Sequence, residues 1–333
     1  MLKANKSILY SNAIISVRHN RMLNLDRIRR MVVAPDAMSA AKVLFECGYD
    51  ESLIAHNADR EDLILDTERE RMIRDFRDLC PSDDLLYACL IRYDYHNAAN
   101  FYKAFHLNTP GGERDAIYPF GYHDPAVLRG HIQKGNYHAI PGMLGETLGK
   151  LGVMRDITPC KVDIEMEKAL YADKLRASKG VRNSQCRAYF QADAAFTNMR
   201  TVAKARFAGR DYADMLVACG TLSPAKYSVL YRGDAKTIKD AFVATDYLAV
   251  ASALADGFDG KNLDAFEAEA TKHLVSLSKV NCDDAFSINM VFNWFIMKQE
   301  ELKVVKTILI GKKFGFTNEH LRDQLKGAYE IFR

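Results

Sequence analysis

The sequence lacks the marks of several protein classes. Its seven cysteines, Cys47, Cys80, Cys89, Cys160, Cys186, Cys219 and Cys282, form an odd set with no CxxC pair. That argues against a disulfide framework and predicts reduced thiols in the cytoplasm. Cys47, Cys89 and Cys219 fall among apolar neighbours, where a thiol packs as a small hydrophobe. Charge is scarce as a net quantity: 46 basic and 43 acidic residues leave +3, so no global field draws the chain to nucleic acid or anionic lipid. Long apolar runs are missing too. The stretch Met290 to Met297 is interrupted by Asn293, and nothing approaches the ~20 apolar residues of a bilayer crossing. The opening MLKANKSILYSNAIISVRHN has no unbroken apolar core of the signal-peptide kind. The expectation is a chain without direct bilayer insertion.

Catalytic signatures fail at essential positions. GMLGETLGKLG looks like a phosphate loop, but Leu144 replaces the first glycine and Leu151 replaces the Ser or Thr that would hold magnesium. Gly142, Gly145 and Gly149 therefore read as loop and close-packing glycines. Gly311-Lys312-Lys313 fails likewise, with Lys306 in the glycine place. No HExxH, zinc quartet or GxSxG occurs; His131 and His138 are separated by a glycine and a predicted turn. No catalytic, cofactor-binding or metal-binding residue is expected.

The 48% hydrophobic content is patterned. Nearly every segment repeats apolar residues with the 3.6-residue period of an amphipathic helix, and β-type alternation is rare, so the fold class is all-α. Asp36 precedes Ala37, Ala40, Ala41, Leu44 and Cys47 on one stripe, closed by Gly48, which predicts a capped and stopped helix. Asp124-Pro125 and Ser223-Pro224 place an acceptor before a first-turn proline. Phe316, Thr317 and Leu321 form a capped hydrophobic staple that predicts a last short helix running to about Arg333.

A repeat of about 100 residues organises the chain. Three long helices are predicted, YDYHNAANFYKAFH around Asn97, AAFTNMRTVAKARFAG around Asn198 and KQEELKVVKTILIGKKFG around Glu301, at spacings of 101 and 103 residues. Lys103 and Lys204 each follow the asparagine by six positions. Helix starts at Asn24, Asp124 and Ser223 precede these helices by 73, 74 and 78 residues. Between start and long helix each unit carries a charged amphipathic helix: TERERMIRDF, IEMEKALYAD and LDAFEAEATKHL. Three similar helical units are expected, at residues 1–108, 109–210 and 211–333. Asn97 and Asn198 are expected to bond to backbone or neighbouring helices.

The opening YSNAIISVRHNRML, the helix DYHNAANFYKA and the ending ELKVVKTILIGKKFGFTNEHLRDQL resemble, in order and spacing, the C subunit (also called the d subunit) of the rotary V/A-type ATPases. Ala195 departs from the pattern, standing where the second repeat would carry the acidic residue that Asp94 supplies in the first, and Asn108 to Arg114 looks like a local insertion. The resemblance implies three helical domains arranged with pseudo-threefold symmetry as a funnel. It also implies a non-catalytic role: a cytoplasmic spacer, peripheral to the membrane, between the central shaft subunits and the membrane rotor ring, transmitting torque for proton or sodium transport.

The residues leave two alternatives. One is a helical-repeat scaffold that binds proteins on a concave surface. The other is an enzyme whose pocket would bring His96, Asp94 and His123 together. The basic stretches Arg18 to Arg30 and Lys298 to Lys313 are the local candidates for partner contact, although such runs are usually solvated faces.

Overall fold

In the computed structural model the described residues are 7–57, 60–107 and 117–333. Among them there is no strand, and the all-α reading holds. The helices are α1 (Ile8–His19), α2 (Leu25–Val33), α3 (Ala37–Lys42), α4 (Glu51–Asn57), α5 (Glu61–Leu79), α6 (Asp83–His106), α7 (Pro125–Gln133), α8 (Gly142–Val153) and α9 (Pro159–Gly180). They continue as α10 (Ser184–Ala208), α11 (Pro224–Arg232), α12 (Ala235–Phe242), α13 (Leu248–Asp256), α14 (Asp264–Lys279), α15 (Asn289–Lys313), α16 (Asn318–Gln324) and α17 (Lys326–Ile331). The candidate insertion Asn108 to Arg114 lies outside the described residues.

The helix punctuation follows local chemistry. Asn24, Asp36 and Asp124 accept hydrogen bonds from the amides of Arg27 (2.9 Å), Ser39 (2.7 Å) and Ala126 (2.8 Å), satisfying donors that a helix start leaves open. Ser223 takes the cap position of α11 without a side-chain bond. The stripe behind Asp36 tightens from α-helix into a 3₁₀ turn over Val43–Cys47 before Gly48, whose φ of +74° stops it. The expected single last helix is two, α16 and α17, with Leu325 at the junction.

The chain divides into two compact units. Unit 1 joins Met1–Pro81 to Asp264–Arg333. Its axis is α15, which packs against α1, α3, α5 and α14. Phe292, Trp294, Phe295, Ile308 and Leu309 are buried on several sides of α15, as a helix surrounded by others requires. Phe76 of α5 stacks on Phe295, ring centroids 4.1 Å apart.

Unit 2 spans Ser82–Leu263. There α6 packs along α9 and against α7, α10 packs against α9 and α11, and α12 pairs with α13. GMLGETLGKLG is the helix α8 rather than a loop. Gly142 opens it with φ +73°, and a Cβ on Gly145 would sit 2.0 Å from the Ile140 carbonyl oxygen, so both glycines are needed by geometry, whereas Gly149 is unconstrained.

Candidate functional site: locks on the long helices

The repeat positions mark one recurring device. On α6, Asn97 is fully buried, and its side-chain amide meets the main chain of Tyr118: Nδ2 donates to the Tyr118 carbonyl (2.9 Å) and Oδ1 accepts the Tyr118 amide (2.9 Å). On α10, Asn198 does the same to Val217, donating to its carbonyl (3.0 Å) and accepting its amide (2.8 Å). Its Nδ2 also lies 3.0 Å from the Tyr227 hydroxyl. A primary amide carries one acceptor and a pair of donors, so it can pair with both main-chain polar groups of one residue and leave neither unsatisfied. In both cases the fastened residue lies six positions before the next helix start, Asp124 or Ser223. The long helix thereby fixes where the following helix begins.

On α15 the equivalent position is Glu301. Its Oε2 accepts the Leu23 amide (2.7 Å), immediately before the Asn24 helix start. The carboxylate cannot bond a carbonyl, so its second oxygen recruits other donors: the Tyr49 hydroxyl at 2.8 Å and the Lys298 ammonium. Lys298 in turn lies 2.6 Å from Glu68, and Glu68 pairs with Arg71 at 2.6 Å. Glu301, Glu68 and Lys298 are 0%, 3% and 5% exposed. Burial by itself would pull the Lys298 pKa down; the carboxylates of Glu301 and Glu68 outweigh it and hold the ammonium above its ordinary value. Tyr49, buried beside Glu301, is pushed well above the usual phenol range.

Three positions before each lock residue the side chains differ: Asp94, Ala195 and Lys298. Asp94 adds a second fastening, accepting the amides of Tyr122 (2.8 Å) and His123 (3.0 Å) and pairing with His123 Nδ1 (2.7 Å). Burial raises the Asp94 pKa against these bonds. A Cβ on Gly121 would fall 1.8 Å from Asp94 Oδ1, so only glycine fits that turn. Ala195 is fully buried and contributes no polar bond.

The charged amphipathic helices carry a further correspondence. In α9, Asp173 is fully buried, accepts hydrogen bonds from Tyr87 (2.8 Å) and Tyr95 (3.2 Å), and pairs with Arg176 one turn on (2.7 Å). Glu68 and Arg71 occupy α5 in the same acid-x-x-Arg arrangement. An i,i+3 pair reads in sequence as a solvated surface bridge, and burial alone distinguishes it.

Of the proposed enzymatic trio, Asp94 and His123 meet but His96 does not join them: its Nε2 lies 3.1 Å from the Asn100 amide, and its ring packs 4.9 Å from that of Tyr118. His96 lines an open cleft of about 380 Å³ beside Lys103 and Asp163, which form an ion pair at 2.8 Å. Lys204 is exposed. Among the described residues no group of three or more His, Cys, Asp or Glu side chains is placed to hold a metal ion, and no helix is long and apolar enough to cross a membrane.

The basic stretches are largely committed within unit 1. Arg18 pairs with Asp75, Arg27 and Arg30 with Glu46, Lys303 with Glu300 and Lys313 with Glu61, while Lys312 donates to the Ala34 carbonyl (2.6 Å). Arg21 has no ion pair among the described residues.

Comparison with known proteins gives a family and a relative. The family model described as ATP synthase (C/AC39) subunit matches residues 11–324. The C subunit of the V-type sodium ATPase of Enterococcus hirae is 19% identical over 329 residues, covering 96% of this chain and 98% of that protein.

Proposed function

This chain belongs to the ATP synthase (C/AC39) subunit family, and from that premise we propose that it is the non-catalytic rotor spacer of a rotary V/A-type ATPase, joining the central shaft to the membrane rotor ring. The observation that carries the reading is the family match over residues 11–324, with the lock residues Asn97, Asn198 and Glu301 all inside it. Three helical modules near residues 1–108, 109–210 and 211–333, and a place at the cytoplasmic face of the membrane, belong to the same proposal.

A torque-bearing spacer requires stiffness more than reactive groups. Long helices in close-packed surroundings deform little, and buried, fully bonded polar fastenings define one geometry for each helix start. A chain of this design transmits displacement rather than absorbing it. The test is affinity capture of the tagged chain from mildly solubilised native membranes, with mass identification of what comes with it. Co-purification with shaft and ring subunits is the expected result; recovery as a lone monomer would overturn the proposal.

A further inference from the structure

The geometry points to the outer face of α1 as a helix-docking seam, whose occupant is a helical segment of a partner subunit bearing an apolar stripe that ends in a carboxylate. This inference rests on the rotor-spacer reading only in taking that partner from the same assembly.

Helix α1 carries apolar residues on both sides, and on the inner side Ile15 is fully buried. Its inner face buries Ser11 and Asn12, at 0% and 2% exposure, and the Asn12 amide donates to the carbonyls of Ala285 (2.7 Å) and Ser287 (2.9 Å). Its outer face leaves Tyr10 and Val17 63% and 59% exposed. A helix in a finished fold is held by its inward apolar residues, as α1 is by Ile15, so the second, outward stripe has another destination.

The spacing says what shape fits. Tyr10, Ile14, Val17 and Arg21 follow one another by four, three and four residues. Over Tyr10, Ile14 and Val17, which lie within α1, that is the alternation of a coiled-coil seam, which receives a second helix. These residues, with Ala13 and Arg18, line a groove of about 470 Å³.

The charge says what chemistry fits. Arg18 and Arg21 also line an adjoining cavity of about 200 Å³, together with Arg71, Lys298, Glu68 and Asp75. Asp75 already pairs with Arg18, and Glu68 with both Arg71 and Lys298. Among the described residues the Arg21 guanidinium, exposed in the turn that follows α1, has no ion pair where the apolar seam ends. A carboxylate on the docked helix completes it. A second copy of this chain does not: parallel pairing of two α1 helices sets Arg21 against Arg21, and antiparallel pairing sets it against Tyr10.

The test uses the intact assembly from native membranes, with the photoreactive residue p-benzoylphenylalanine replacing Val17. The expected product is a crosslink to a helix of a shaft or ring subunit that carries an Asp or Glu near the attachment point. Arg21→Glu should lower the crosslink yield about tenfold, the ratio that roughly 1.4 kcal/mol represents, and reversing the charge of that partner carboxylate should restore it. Unchanged thermal unfolding of Arg21→Glu checks that the fold survives. A crosslink to lipid or to a second copy, or no crosslink from an assembly that still co-purifies, overturns the seam. Failure to co-purify overturns the rotor reading instead, and the identity of whatever Val17 captures then decides the seam by the same criterion.

Discussion

In unit 2 the lock positions of α6 and α10 are neutral asparagines, with Asp94 as a second fastening on α6, whereas in unit 1 the lock position of α15 sits in a buried ionic cluster. Asn97 and Asn198 each meet both main-chain groups of one residue, because an amide supplies donor and acceptor together. Glu301 meets the Leu23 amide with one oxygen and must satisfy its charge and its other oxygen elsewhere. Tyr49 and Lys298 do this, Lys298 then requires Glu68, and Glu68 engages Arg71. A change of one lock residue from amide to carboxylate thus draws in four further side chains. The same mechanical result is reached by a local device in one unit and by a network in the other.

The network should be the more fragile. Glu301→Leu leaves the Leu23 amide and the Tyr49 hydroxyl unpaired and strips Lys298 of one counter-charge, all in buried surroundings. Breaking a buried ion pair from one side costs about 3–5 kcal/mol. Urea unfolding should show a loss of that size, with Glu301→Gln less damaging because it keeps an acceptor for Leu23. A cost for Glu301→Leu no larger than that of an exposed ion pair would remove the distinction between the units.

Next in size are Asn198→Leu and Asn97→Leu, each of which orphans one amide and one carbonyl. With about 1–3 kcal/mol for each buried group left unpaired, the low end of the range for two groups, losses of about 2–3 kcal/mol, is expected. Asn198 should be the costlier, since it also holds Tyr227. Equal losses at Asn97 and Asn198 would show that Tyr227 contributes nothing.

A smaller effect separates the two kinds of lock by pH. The folded pKa of Lys298 is raised, so its stabilisation is complete below the ordinary lysine value and is lost as pH rises through the folded value. The difference in stability between the wild type and Lys298→Met should therefore shrink above about pH 10.5. The cost of Asn97→Leu, which removes no titrating group, should stay level over the same range. Parallel pH profiles for the two variants would deny the ionic character of the α15 lock.

Much of the fold was legible because helix periodicity and caps are local signals. Asn24, Asp36, Asp124 and Thr317 act where their spacing placed them, and Gly48 ends its helix in the left-handed conformation. The even spacing of Asn97, Asn198 and Glu301 was legible in the chain. Their partners were not. Leu23 lies 278 residues from Glu301 and Tyr49 lies 252, and nothing in a single sequence links such distant groups. Lys298 illustrates the other blind spot: in KQEELK it has the look of a solvated basic face, but its Nζ sits between two buried carboxylates. GMLGETLGKLG reads as loop because glycines usually break helices, yet in α8 one of them opens the helix and another admits the Ile140 carbonyl.

The smallest expected effect concerns the lysines that follow the asparagines. Lys103 pairs with Asp163 of α9, whose side chain is 55% exposed. Lys204 acts on the same helix through its charge: burial raises the Glu167 pKa, and Arg200 and Lys204 oppose that rise. Lys103 thus pairs with α9, while Lys204 places its charge near a carboxylate one turn further along the same helix. Ion pairs of this exposure contribute about 0.2–1 kcal/mol and are screened by salt. Lys103→Ala and Lys204→Ala should each cost no more than about 0.5 kcal/mol, less at high ionic strength, measured by the same urea unfolding. The double variant should equal the sum of the singles if each lysine serves its own carboxylate, and fall short of it if the two share one field along α9. A loss at Lys204 as large as that of Asn198→Leu would move the fastening of α10 from its asparagine to its lysine, and with it the parallel drawn between the two long helices.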